Sequence, residues 1–262
     1  MHASSLPISP RTAWLDALRG LAMVWMTVFH FSFDLANTGY TQQNFYQDPL
    51  WLWQRVCILS LFLLCAGAGQ VLAMHSGQGW GAFWRRWGQI VTAAVLVTVG
   101  SILMFPHSFI YFGVLHGMAV MLLLVRLWRL QRVPVYAALG LALLLLFAWS
   151  QTEHAHTVLA ACYPLLDARW LNWLGIISHK PITEDYVPLL PWLGVLLLGM
   201  AAMRWWLQLP AQGGSGVVAR LTQWQPGSVP AKGLVWLGRH SLSYYLLHQP
   251  VMLGGLALLS FL

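Results

Sequence analysis

Seven apolar stretches divide this chain, and they constrain its fold more than any motif it carries. Hydrocarbon offers the backbone no hydrogen-bond partner, so a segment crosses a bilayer as a helix of about 20 apolar residues. The stretches read as helices at about 13–34, 51–74, 87–105, 108–127, 134–150, 186–203 and 240–262. Of 262 residues, 58% are hydrophobic and 8% charged, against about 25% charged in a soluble domain. A soluble fold of this size cannot hide so much apolar surface. The expected fold class is all-α: a polytopic membrane helix bundle of about seven transmembrane helices, forming one domain over 1–262.

The segments between the stretches set the expected orientation. Arg11 precedes the first helix, Arg85 and Arg86 follow the second, and Arg126, Arg129 and Arg132 end the fourth. Arg204, Arg220, Lys232 and Arg239 lie between the last two. These are alternate loops, and the opposite ones hold only Arg169 and Lys180, so the N-terminus is expected inside and the C-terminus outside. That placement gives the formal charge of +7 a topological meaning and argues against a nucleic-acid partner. Residues 151–185 hold two half-length apolar pieces, 157–166 and 170–178, too short to span. Residues 208–232 read as a Gly-, Pro- and Gln-rich loop, with a short surface helix at 233–239. The N-terminus lacks the pattern of a cleavable signal peptide. Three scattered cysteines give neither a disulfide framework nor a metal spacing.

The first stretch is the unusual one. Asp16, Gly20, Met23, Thr27, His30 and Asp34 recur at helical spacing and share one face, and Arg19 can pair with Asp16. Ionisable groups in a spanning helix are costly and mark a functional site by default; the alternative is a structural polar seam. Depth sorts the polar residues into two sets. His30, Asp34, Arg55, His116 and Asp185 can converge in an outward-facing pocket. Asp16, Arg19 and Arg239 lie at the inner entrance, and Ser241, Tyr245, His248 and Met252 follow a helical 4-3-4 spacing on the last helix, with Pro250 bending it. At 1.5 Å per residue, His248 is expected roughly one third of the way across from inside. A histidine one helical turn from a carboxylate, as in His30 and Asp34, is a general-base arrangement. The competing reading of His30, His116 and His248 is hydrogen-bond glue between helices. Gly67–Gly69 reads as close helix packing rather than a phosphate loop. His107, His154, His156 and His179 lack a usable ligand spacing, so no metal is expected.

RTAWLDALRGLAMVWMTVFHFSFDL, FLLCAGAG, FGVLHGMAV (Phe112–Val120), DYVPLLPWLGVLLLG (Asp185–Gly199) and GRHSLSYYLLHQPVM (Gly238–Met252) occur in order along the chain. Together they resemble the bacterial branch of the heparan-alpha-glucosaminide N-acetyltransferase catalytic-domain family, within the transmembrane acyltransferases. The resemblance implies a multi-pass enzyme of the bacterial inner membrane that takes acetyl from cytosolic acetyl-CoA and passes it to a sugar on the far side. An envelope glycan or amino sugar is then the expected acceptor, with membrane lipid around the bundle and a homodimer compatible with the pattern. Asp16, Arg19, Arg239, Ser241, Tyr245 and His248 would hold acetyl-CoA as co-substrate, the arginines meeting its phosphates. His30 with Asp34 would be catalytic, as a base or as an acetyl carrier. Asn37, Arg55, His116 and Asp185 would bind the acceptor. One departure stands out. Lysosomal members place a catalytic histidine in the first luminal loop, whereas 35–50 here has none and His30 stands where those members tend to have asparagine. Either the base has moved to His30 or the chemistry differs. The rival expectations are a transporter or flippase for a small anion or lipid-linked sugar, and a scaffold without chemistry.

Overall fold

The computed structural model describes residues 12–128, 132–209, 220–221 and 223–259; Arg11 and Arg129 lie outside the described residues. Among the described residues the regular structure is helical, with no strand and one isolated parallel bridge between Phe112 and Tyr186. Helices α1 (Ala13–Asn37), α2 (Pro49–His75), α3 (Trp80–Met104), α4 (Val114–Trp128) and α5 (Val133–Ser150) come first. Short helices α6 (Glu153–Leu159) and α7 (Tyr163–Leu166) and a 3-10 turn (Asn172–Leu174) follow. The chain then forms α8 (Leu189–Gln208), α9 (Val229–Arg239) and α10 (Ser241–Leu259). Four of these, α2, α3, α5 and α8, are long and apolar enough to cross a membrane, and α4 is a shorter apolar helix. This is a helical membrane bundle.

Several boundaries differ from the sequence expectation, each for a local reason. The third helix begins at Trp80 rather than 87. Trp80, Phe83, Trp84 and Trp87 fall at i, i+3 and i+4 spacing and their rings touch along the new turn, Trp80 to Phe83 at 5.6 Å and Trp84 to Trp87 at 5.4 Å. The fourth begins at Val114 rather than 108 because side chains have claimed the preceding backbone. Thr98 donates to the Ile110 carbonyl at 2.8 Å, and the Ile110 amide donates to Ser101 Oγ at 2.9 Å. The sixth long helix begins at Leu189, and Leu190 inside it has φ −92° and ψ 127°, the extended backbone that the following Pro191 favours. The surface helix is longer than 233–239: Ser228 caps it from Val229, its Oγ accepting from the Ala231 amide.

The chain forms two compact units, Met1–Cys65 with Gln208–Leu262, and Ala66–Leu207, the boundary falling within α2. In the first, Met23, Met26, Phe29, Phe45 and Ile58 are the buried centre, with Trp51, Leu237 and Tyr244 packed on it. Trp25 Nε1 ties α1 to α2 by donating to Gln54 Oε1 at 3.1 Å. Two glycines let α9 lie directly on α1. A Cβ on Gly20 would sit 2.0 Å from the Leu234 carbonyl oxygen, and one on Gly238 would sit 1.8 Å from that of Asp16. Gly20 meeting Leu234 and Gly238 meeting Asp16 make the two helices antiparallel. After His240 the chain turns, and α10 follows α1 in the parallel sense.

In the second unit, a Cβ on Gly67 would lie 2.2 Å from the Leu196 carbonyl oxygen, so the small residues of α2 do serve close helix packing. Arg126, read from sequence as one of a flanking cluster, is buried: its guanidinium donates to the Gln78 carbonyl and lies over Trp80 at 5.1 Å and Phe83 at 5.4 Å.

Candidate active site

The site in the first unit is a ladder of paired polar residues between α1 and the α9–α10 segment. At its base the buried carboxylate of Asp16 accepts from Arg19 Nη1 at 3.0 Å and from Arg239 Nε at 3.3 Å. One anion thus holds two cations and leaves the trio with a net single positive charge. Arg239 is half exposed and Arg19 less so, so the positive field opens on the Arg239 side. Ser241, the first residue of α10, is buried just beyond.

Midway up, Thr27 spends its proton on the Met23 carbonyl at 2.8 Å and therefore accepts from the Tyr244 hydroxyl at 2.6 Å. The next level holds two imidazoles. His30 and His248 face each other with ring centroids 5.3 Å apart, and Tyr244 stacks on the His248 ring at 5.9 Å. The expectation set His248 apart from His30 by depth; the structure puts the two side by side. The reason is in the counts themselves: with Arg239 and Arg19 both on Asp16, nine residues to His248 and eleven to His30 differ by only about 3 Å of helical rise.

His248 Nδ1 lies 2.8 Å from the Tyr245 carbonyl oxygen. A carbonyl only accepts, so Nδ1 carries the proton and Nε2, buried and without a hydrogen-bond partner, keeps the lone pair in the neutral ring. Tyr245 contributes through its backbone. At the top, Asp34 Oδ1 accepts from Gln249 Nε2 at 3.1 Å, while Asp34 Oδ2 and Gln249 Oε1 are buried without hydrogen-bond partners. His30 and Asp34 share a face, as their spacing implied, yet the carboxylate is engaged by Gln249 and makes no hydrogen bond to His30. Gln249 and Tyr244 did not emerge from sequence reasoning. The available signal was a polar amide and a phenol flanking His248 in an otherwise apolar helix.

Beyond Asp34 the chain forms a groove of about 420 Å³ lined by Asn37, Gln42, Gln43 and Asn44 together with Phe33 and Tyr46. Asn37 therefore belongs to a recess of amides and aromatic rings. Arg55 is an exposed residue of α2.

His116 and Asp185 belong to the second unit, where their polar atoms are engaged. Thr98 Oγ1 donates to Ile110, so it accepts from His116 Nε2 at 3.0 Å, and His116 Nδ1 accepts from the Gly113 amide at 3.3 Å. Asp185 Oδ2 accepts from the Val114 amide at 2.8 Å and caps α4. In the loop before α8, the Tyr186 hydroxyl donates to the Asn172 carbonyl at 2.6 Å, and burial pushes it well above its ordinary pKa, so it stays a donor.

Neither the curated proteins nor the solved structures give a match. The sequence profile of the family described as heparan-alpha-glucosaminide N-acetyltransferase, catalytic, matches residues 11–250, which contain every rung of the ladder between α1 and α10. Because that match covers most of the sequence, the chain belongs to the heparan-alpha-glucosaminide N-acetyltransferase catalytic family.

Proposed function

We propose that this protein is a membrane acetyltransferase of the bacterial inner membrane. In this reading it takes acetyl from cytosolic acetyl-CoA and gives it to an amino or hydroxyl group of an envelope sugar on the other side. The observation that carries the reading is the convergence of His30, His248 and the Asp34–Gln249 pair within the span matched by the family. Arg239, and Arg19 behind it, offer the positive field that the phosphates of CoA require at the cytosolic mouth. The groove at Asn37 suits a sugar, with amides for its hydroxyls and the Phe33 and Tyr46 rings for its apolar faces. His30, one turn below Asp34, meets the acetyl group and the acceptor. The acceptor's nitrogen or oxygen attacks the thioester carbonyl, the C–S bond breaks, and the proton lost by the acceptor ends on the CoA sulfur.

Purified protein in nanodiscs, given radiolabelled acetyl-CoA and glucosamine, tests this. Acetylated sugar, acetyl-enzyme or acetyl-CoA hydrolysis that disappears in His30→Ala supports it. No turnover, together with no thermal shift at millimolar CoA, rejects it.

A further inference from the structure

We infer that His248 is a further catalytic residue of this site, the base that takes the proton from the attacking acceptor, and that Gln249 is the residue positioning Asp34 beside it. The inference rests on the acetyl-transfer reading above. Its ground is the state of three buried atoms. His248 Nδ1 is committed to the Tyr245 carbonyl, which leaves Nε2 as a lone pair with no hydrogen-bond partner. Asp34 Oδ2 and Gln249 Oε1 are likewise buried and unpartnered, because Gln249 Nε2 is spent on Asp34 Oδ1. All three are acceptors. Three buried acceptors on adjoining residues are costly unless an occupant brings hydrogen-bond donors. A nucleophile bearing N–H or O–H is such an occupant, and the thioester, which has acceptors at its reacting end, is not.

The backbone settles which imidazole is ready to act. His248 is buried, its tautomer is fixed from its own helix, and Tyr244 stacks on its ring. His30 is half-buried and is held by ring contacts with Phe29 and His248. The rings against His248 are those of His30 from α1 and of Tyr244 and Tyr245 from α10. In the step, the acceptor N–H or O–H bond breaks and its proton goes to Nε2. The acceptor forms its bond to the acetyl carbonyl carbon as the C–S bond breaks. The proton then passes from Nε2 to the departing thiolate, returning neutral His248.

The full chain in nanodiscs, with acetyl-CoA and glucosamine as the probe acceptor, provides the test. His248→Gln is expected to lower kcat by about 100-fold or more. The KM for acetyl-CoA should stay near wild type, and imidazole in the buffer should restore part of the rate. Nitrogen NMR of histidine-labelled wild type, assigned by the signal missing from His248→Gln, should show the Nδ1–H tautomer. Wild-type kcat in His248→Gln, or an Nε2–H tautomer, overturns the inference. The tautomer decides a loss that imidazole leaves untouched. It also decides the case of a variant that fails to fold, His248→Asn then supplying the assignment. A wild-type protein with neither transfer nor hydrolysis overturns the acetyl-transfer reading itself, whatever the tautomer.

Discussion

Gly238 packs on Asp16 so closely that a Cβ placed on it would sit 1.8 Å from the Asp16 carbonyl oxygen. The obstacle is backbone on a packed helix, so it cannot rotate aside. Gly238→Ala is expected to destabilise by about 2 kcal/mol or more, and Gly20→Ala, 2.0 Å from the Leu234 carbonyl oxygen, by a similar amount. Gly233 on the same α9 has open space around its Cβ position, so Gly233→Ala should be neutral or slightly stabilising. Thermal melting of the three variants in one detergent compares them directly.

Removing the charge of Asp16 leaves Arg19 and Arg239 sharing a neutral amide. Breaking a buried ion pair costs about 3–5 kcal/mol, and the exposure of Arg239 reduces that here, so Asp16→Asn is expected to cost about 2 kcal/mol. Arg239→Ala alone should cost about 1 kcal/mol or less, because Arg19 keeps the carboxylate paired. A double-mutant cycle read by denaturant unfolding measures both.

The Asp34–Gln249 bond gives a kinetic prediction. Gln249→Leu removes the donor and leaves the carboxylate free to turn, while the volume of the side chain is roughly kept. A loss of about 10-fold in kcat is expected, within the range for disturbed positioning. Gln249→Asn, which keeps an amide on a shorter arm, should recover less than half of that loss. Steady-state kinetics with acetyl-CoA saturating separates the kcat effect from one on KM.

In the second unit, Asp185→Ala is expected to lower stability by about 1 kcal/mol, the usual loss when a capping carboxylate is removed from a helix N-terminus. Asp185→Asn should lose less, since its amide oxygen can still accept from Val114. Calorimetry of the detergent-solubilised protein resolves the two.

His116→Leu strands the Gly113 amide and the Thr98 hydroxyl oxygen that the ring now satisfies. The expected cost is about 1–3 kcal/mol. Thr98→Val combined with His116→Leu should cost less than the sum of the two single changes, which a denaturation series would reveal.

Much of this was legible in advance, for physical reasons that differ by residue. The apolar stretches announce themselves because a bilayer demands length and composition and little else. The polar face of α1 shows because 3.6-residue periodicity is local. The start of α3 was missed because Trp80–Trp87 pairs aromatic contact with a glycine-rich opening that mimics a loop. The start of α4 was missed because Thr98, Ser101 and Asp185, all distant in sequence, decide it. Gln249 escaped for the same reason: nothing near it in the chain says that its partner is Asp34. His248 was found but set apart from His30, although nine residues past Arg239 and eleven past Arg19 bring the two to nearly one level once both arginines share Asp16.

The ladder has a consequence for how the protein is made. Asp16 and Arg239 are 223 residues apart and Asp34 and Gln249 are 215 apart. The first helix is therefore synthesised long before either distant partner exists. Arg19 covers one carboxylate in the meantime, and Asp34 has to wait for Gln249 until the last helix is made. A chain that stopped before Arg239 would carry both carboxylates of α1 without either distant partner, so the residues that complete the site are also the last to be made.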